Sequence, residues 1–303
     1  MAFKNVDFVG KWRIWLAVSG VFLLICLGFI AFRGMNFGID FQGGSKFTVS
    51  GLEQPMTTAE VRDALPEEVR DASFVQSLGE DGYEVRTPVL DSQAQSTEVG
   101  QALEDGLGAE VSVTSISPTF GGQIRTQAVQ AVLAALAIIV LFVSVRFEFS
   151  FAVAGIVAIL HDILLTIGFY ALVGREVNLV TVVAVLTVLG YSLYDTIIIF
   201  DRIRENAPEA GYNRRRYDEL ANDSIRQVVM RSIYTSVCTL IPVTALLLFG
   251  ESTLSDFAFA LLVGIAAGTY SSIFIAAPVL CLYKAWRATR KPTTSGKSAE
   301  AKV

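Results

Sequence analysis

Asp195 lies inside an apolar run, six residues before Asp201, so on a helix it sits about 9 Å from the charged end of that run. Thr187, Tyr191, Ser192, Asp195 and Thr196 recur at spacings of three and four and share one helical face, a polar stripe that must meet protein or water. A carboxyl in such a place is suited to binding and releasing a proton, because desolvation opposes its charged form and a nearby cation favours it. Arg231 is the natural cation: it stands at the start of a later apolar run, with Thr235, Cys238 and Thr239 on its helical face. In the run before Asp195, His161 and Asp162 are adjacent, and neighbours on a helix point in different directions, so at most one of them faces the stripe. Asp162 is the better relay or hydrogen-bonding candidate; Ser192, Thr196 and Thr235 are supporting hydroxyls. The same residues admit another use, with Asp195 a hydrogen-bonding pin between helices and Arg231 an anchor reaching the membrane surface.

Other chemistries find little support. Cys26, Cys238 and Cys281 all lie in apolar runs, and there is one histidine, so neither a disulfide framework nor a CxxC metal site is available. No GxxxxGK[ST] phosphate loop and no HExxH string occurs. We expect no catalytic residues, no metal and no cofactor, and a chain that is not an enzyme.

The elements that must position the acid are membrane helices. Hydrophobic residues make up 52% of the chain and charged ones only 17%, too apolar a balance for a soluble globular protein. Six stretches are long enough to cross a bilayer core about 30 Å thick: 14–32, 126–145, 151–173, 179–201, 232–249 and 257–283. Pro242 and Pro278 should bend the last two rather than end them. Gly264 and Gly268 form a GxxxG pair for close helix packing, followed by Ser271 and Ser272. The first span is too long for a cleavable signal and no small-residue cleavage site follows it.

Basic residues set the orientation. Lys4, Lys11 and Arg13 precede the first span, and Arg202, Arg204, Arg214, Arg215, Arg216, Arg226 and Arg231 fall in 202–231. Lys284, Arg287, Arg290, Lys291, Lys297 and Lys302 follow the last span, whereas the short connections on the opposite side hold Arg175 alone. Both termini, residues 1–13 and 284–303, are therefore expected in the cytoplasm, the latter as a disordered tail. The 202–231 loop reads as a short surface helix suited to anionic lipid; no aromatic-interleaved basic surface points to nucleic acid.

Residues 33–125 are expected as the one external domain. SKFTVSG reads as a strand, Thr57–Leu65 as a helix capped by Thr57 or Thr58 with Glu60 near its third position, ASFVQSL and YEVRTPV as strands around a GEDG turn, Ser92–Leu107 as a helix and AEVSVTSIS as a last strand. That β-α-β-β-α-β order is the split ferredoxin-like pattern. The fold class expected is thus a polytopic α-helical membrane protein of six spans with one small α+β domain between the first and second.

Four strings carry a resemblance. GIDFQGG after span one, GYSLYDTIIIFDRIREN over span four, RSIYTSVCTL into span five and GTYSSIFIAAP in span six resemble the SecF family, membrane subunits of bacterial protein export within the resistance-nodulation-division type superfamily. The resemblance covers all six spans and the external domain. It implies a subunit of the bacterial cytoplasmic membrane that pairs with a SecD-like subunit, assists the SecYEG channel, and uses the proton-motive force to act on a translocating preprotein. It also places the family's span-four aspartate on Asp195 and its span-five arginine on Arg231. GIDFQGG becomes the entry to the external domain, with Asp40, Gly43 and Gly44 at its centre. The sequence departs from the family at Tyr194 and Tyr234, where asparagines are usual, and at Cys238, where threonine is frequent. A stand-alone efflux transporter of the same superfamily and a non-transporting assembly subunit are the competing readings.

Overall fold

The computed structural model describes residues 6–52, 54, 56–78, 82–90, 92–207, 213–250 and 252–290. The expected GEDG turn falls largely outside these at 79–81, as do Lys4 and the tail beyond Arg290. Among the described residues six helices are long and apolar enough to cross a membrane. The first is α1 (Trp12–Arg33). Then come β1 (Asn36–Phe37), a one-turn helix α2 (Ile39–Gln42) and the external domain: β2 (Gly44–Ser50), α3 (Thr58–Asp63), α4 (Glu67–Arg70), β3 (Phe74–Ser77), β4 (Tyr83–Thr87), α5 (Gln93–Leu107) and β5 (Glu110–Ile116). The remaining spans are α6 (Pro118–Arg146), α7 (Phe149–Val173), α8 (Leu179–Asn206) preceded by β6 (Glu176–Val177), α9 (Arg214–Phe249), and a sixth made of α10 (Ser252–Ser271), a π-helical turn Ser272–Ala276 and α11 (Ala277–Arg290).

The external domain has the expected order of elements. Its sheet runs β3-β4-β2-β5, every neighbour antiparallel, the arrangement of a split β-α-β-β-α-β unit. Thr57 caps α3 through a reciprocal box with Glu60, and Ser92 caps α5. Phe47, Val49, Val61, Leu65, Val85 and Leu103 fill the space between sheet and helices.

Within the bundle α10 is central, packing against α7, α8 and α9, while α1 lies on α7 and α6 on α7 and α8. Leu24, Leu133, Ile138 and Leu141 point outward from α1 and α6, as lipid-facing side chains must. Helix starts follow capping chemistry: Ser117 caps α6 with Pro118 behind it, Asn178 forms a box with Thr181 at α8, and Asn213 caps α9.

One feature differs from the sequence-based expectation. The stretch 202–231 is not a separate surface helix between spans. α8 continues to Asn206, and α9 starts at Arg214 and runs unbroken into span five. No breaker stands between Asn213 and Pro242, and Tyr217, Ala221, Ile225 and Val229, four residues apart, bury one stripe of the extension. That stripe packs beside Phe8 and Val9, whose amides donate to Asn222 Oδ1 at 2.7 and 3.0 Å. As expected of prolines that do not end their spans, helix continues through both, and the π turn Ser272–Ala276 ends two residues before Pro278, where the regular ladder loses a donor in any case.

Candidate proton site and its junction with the external domain

The polar stripe of α8 divides between two neighbours. Thr187 lies exposed at its outer end, bonded only to the backbone of Val183. Ser192 and Thr196 turn toward α7 and the sixth span; Tyr191 and Asp195 turn toward α9. Small residues allow the first contact: a Cβ on Gly264 would come within 2.4 Å of Val188 Cγ2, and one on Gly268 within 2.8 Å of Ser192 Cβ. The two glycines therefore seat α10 directly on α8.

Asp162 occupies the centre of this seam and is fully buried. Its Oδ2 accepts from the hydroxyls of Ser192 at 2.5 Å and Ser271 at 2.8 Å, and its Oδ1 lies 3.0 Å from Nδ1 of His161. Adjacent residues thus meet through their own side chains, although only Asp162 reaches α8. His161 Nε2 is buried without a partner. Beside this set, Thr196 and Ser272 share a 2.8 Å hydrogen bond, and Ser272 also donates to the backbone of Gly268 in the turn that leads into the π segment.

Asp195 is buried on the other side of α8, and its Oδ2 has no hydrogen-bond partner. Ser232 and Arg231 of α9 are the groups that act on it electrostatically. Ser232 is fully buried, and its hydroxyl is likewise unpartnered. The expected pairing of Asp195 with Arg231 takes a different form: no ion pair joins them among the described residues, and the Arg231 side chain is exposed. The reason is helical phase, since Ser232 turns inward and Arg231, Tyr234, Thr235 and Cys238 turn outward. Thr235 spends its hydroxyl on the backbone of Arg231 and Ser232, at 3.0 and 2.9 Å, rather than on Asp195. Ser236, one turn beyond Ser232, links Tyr191 at 3.3 Å and Thr269 at 2.5 Å. Ser232 and Ser236 escape a reading based on charge; their i, i+4 spacing beside Arg231 was the available signal.

The arrangement can hold a proton at either of two buried carboxyls and surrounds one of them with hydroxyls that reorient at little cost. Among the described residues no group of three or more His, Cys, Asp and Glu could hold a metal ion.

The entry motif joins this bundle to the external domain. Gly43 and Gly44 have φ of +76° and +128°, and a Cβ on either would fall within 2.8 Å of the Pro118 backbone or 2.6 Å of the Thr87 carbonyl. Asp40 Oδ2 accepts from the amide of Leu179 at 2.9 Å, at the first turn of the helix that carries Asp195. β1 pairs in parallel with β6, so the strand after α1 is tied to the segment before α8.

Residues 97–286 match the family described as protein export membrane protein SecD/SecF, C-terminal, and residues 28–50 match the SecD/SecF GG motif. Protein translocase subunit SecF of Thermodesulfovibrio yellowstonii is 38% identical over 92% of this chain and 94% of its own length. The subunit of the same name from Mycobacterium tuberculosis is 39% identical over 90% of this chain and 66% of its own. The crystal structure of SecDF, a translocon-associated membrane protein from Thermus thermophilus, superposes with a TM-score of 0.84 at 35% identity over 93% of this chain. The chain spans 39% of the length of that SecDF.

Proposed function

The chain belongs to the SecD/SecF family of protein-export membrane proteins, and from that membership we propose that it is the SecF-type half of a proton-driven accessory complex for polypeptide export. It works in the bacterial cytoplasmic membrane beside a SecD-like subunit and the SecYEG channel, with both termini cytoplasmic, and performs no covalent chemistry on the preprotein. That it matches about two fifths of the length of SecDF from Thermus thermophilus supports pairing with a SecD-like half.

The observation that carries the proposal is Asp195: a buried carboxyl with one oxygen unbonded and its candidate counter-charge turned outward on the next helix. In its neutral form this arrangement leaves no bare charge in the bundle. Loss of the proton creates a charge that must be met, which draws the α8–α9 face and Arg231 into a new packing against the partner. A proton crossing a 100 mV potential supplies about 2.3 kcal/mol, enough to bias a two-state element more than tenfold. The contacts between α8 and the entry motif carry that bias outward, where the external domain moves against the emerging chain.

The test is proton flux and protein export in vesicles holding the chain with its SecD-like partner, native against Asp195→Asn at matched abundance. Both activities fall together if Asp195 couples them. Export that persists at the native rate makes Asp195 a structural pin and refutes the proposal.

A further inference from the structure

A second set of buried charges lies outside the membrane, where the external sheet meets the segment before α8. Every residue of β4 is buried, including Glu84 and Arg86. The Arg86 guanidinium stacks 4.6 Å from the centre of the Phe74 ring; its Nη1 lies 3.3 Å from Glu176 Oε2 and 3.3 Å from Asn36 Oδ1, and its Nε lies 3.6 Å from Glu84 Oε1. Lys46 of β2 reaches Glu84 at 3.4 Å from a partly open position. Arg175, next to Glu176, is already engaged with Asp256 of the sixth span at 2.7 Å. Lys46, Glu84, Arg86, Arg175 and Asp256 are therefore the charged groups that face Glu176. Glu84, Arg175, Glu176 and Asp256 line a cavity of about 320 Å³. Gly38 of the entry motif is what lets Glu176 in: a Cβ there would fall 1.9 Å from Glu176 Oε1.

We infer that Arg86 and Glu176 form a proton-sensitive joint that fastens the external sheet to the start of α8, making them positioning residues for the transmission of movement out of the membrane. The inference rests on the reading of the chain as a transducer. One face of the joint is the external sheet and the other is β6, two residues from the first turn of α8. Lys46 reaches Glu84 from the open side, which leaves Glu176 buried between the shared Arg86 guanidinium and the like charge of Glu84, so the joint closes best when Glu176 carries a proton. Burial, opposed by Arg86 and reinforced by Glu84, pushes Glu176 up to about 7. A carboxyl that binds its proton more tightly in the closed joint than in water stabilises closure fully at acid pH. That contribution is lost as pH rises through about 7. The external face of an energised membrane is the acid side, so the joint is closed there and loosens as the gradient is spent.

Amide hydrogen exchange on the full chain in nanodiscs, corrected for intrinsic pH dependence, reads the joint directly. The reporters are the Gly38 amide bonded to Val177 and the Leu179 amide bonded to Asp40. Their protection should fall about tenfold between pH 6 and pH 8 in the native chain. Glu176→Gln should hold it at the acid level throughout, and Glu84→Gln should move the midpoint to lower pH by removing the like charge. A flat native profile, or a Glu176→Gln profile that still falls, overturns the joint. Should Glu176→Gln fail to fold, a Glu84→Gln midpoint unchanged from native does the same. No export is measured, so this result is independent of the Asp195→Asn vesicle test.

Discussion

The hydroxyl of Ser192 on α8 donates to the carboxylate of Asp162 on α7 across 2.5 Å, and Ser271 of the sixth span donates to the same oxygen across 2.8 Å. Three helices thus meet at one acceptor. Removing it in Asp162→Ala leaves the Ser192 hydroxyl and His161 Nδ1 without their hydrogen-bond partner in a dry seam and Ser271 with the Gly268 carbonyl alone, a loss of about 3–5 kcal/mol. Asp162→Asn keeps an acceptor and should lose less than half as much. Unfolding of the two variants in mixed micelles checks the order; equal losses would mean that the carboxylate charge, not hydrogen bonding, holds the seam.

The glycine seam gives a prediction with an internal control. A methyl on Gly264 meets Val188 at 2.4 Å and one on Gly268 meets Ser192 at 2.8 Å, whereas one on Gly190 meets nothing within 4 Å. Gly264→Ala and Gly268→Ala should each cost about 1–3 kcal/mol by overpacking, and Gly190→Ala should be neutral or slightly stabilising. Gly268→Ala also pushes on Ser192, so its effect should combine non-additively with Asp162→Asn in a double-mutant cycle.

Much of this architecture is legible in the residues alone, because the signals are local. Hydropathy marks the spans, the Thr57 and Glu60 spacing marks a capped helix, and period-two alternation marks the sheet. Asp195 and Arg231 stand out as charges in apolar runs. What local spacing does not carry is phase between helices. Arg231 and Ser232 differ by one position, and it is Ser232 that turns inward toward Asp195. Asp40 and Leu179 are 139 residues apart, so nothing in either neighbourhood announces their hydrogen bond. Glu176 looks like an ordinary connector residue until Arg86 and Gly38 are brought to it by the β1–β6 pairing.

Gly43 and Gly44 should be the most sensitive positions of the entry motif. Each combines a left-handed backbone with a backbone atom closer than 3.0 Å to where a Cβ would stand, while Gly51, with φ +76°, has open space around it. Gly51→Ala should therefore cost only the conformational strain, about 1–2 kcal/mol. Gly43→Ala and Gly44→Ala should cost more and should displace β2 from Pro118 and Thr87. Limited proteolysis of membrane-embedded chain checks this: cleavage within residues 36–50 should rise for the latter two and stay near native for Gly51→Ala.

Arg231 offers the sharpest separation of folding from coupling. Its side chain is exposed and forms no ion pair among the described residues, so Arg231→Gln in the isolated chain should change stability by no more than about 0.5 kcal/mol. Under the proposed mechanism the same substitution removes the cation that meets Asp195 after its proton leaves. Proton-driven export by the complex with the SecD-like subunit should then fall at unchanged abundance, and Arg231→Lys, which keeps the charge without the planar fork, should restore part of it. A loss of more than about 2 kcal/mol in the isolated chain would place Arg231 in the internal packing of the bundle. Native export by Arg231→Gln would remove it from the coupling step and leave Asp195 to be balanced by a charge from the partner.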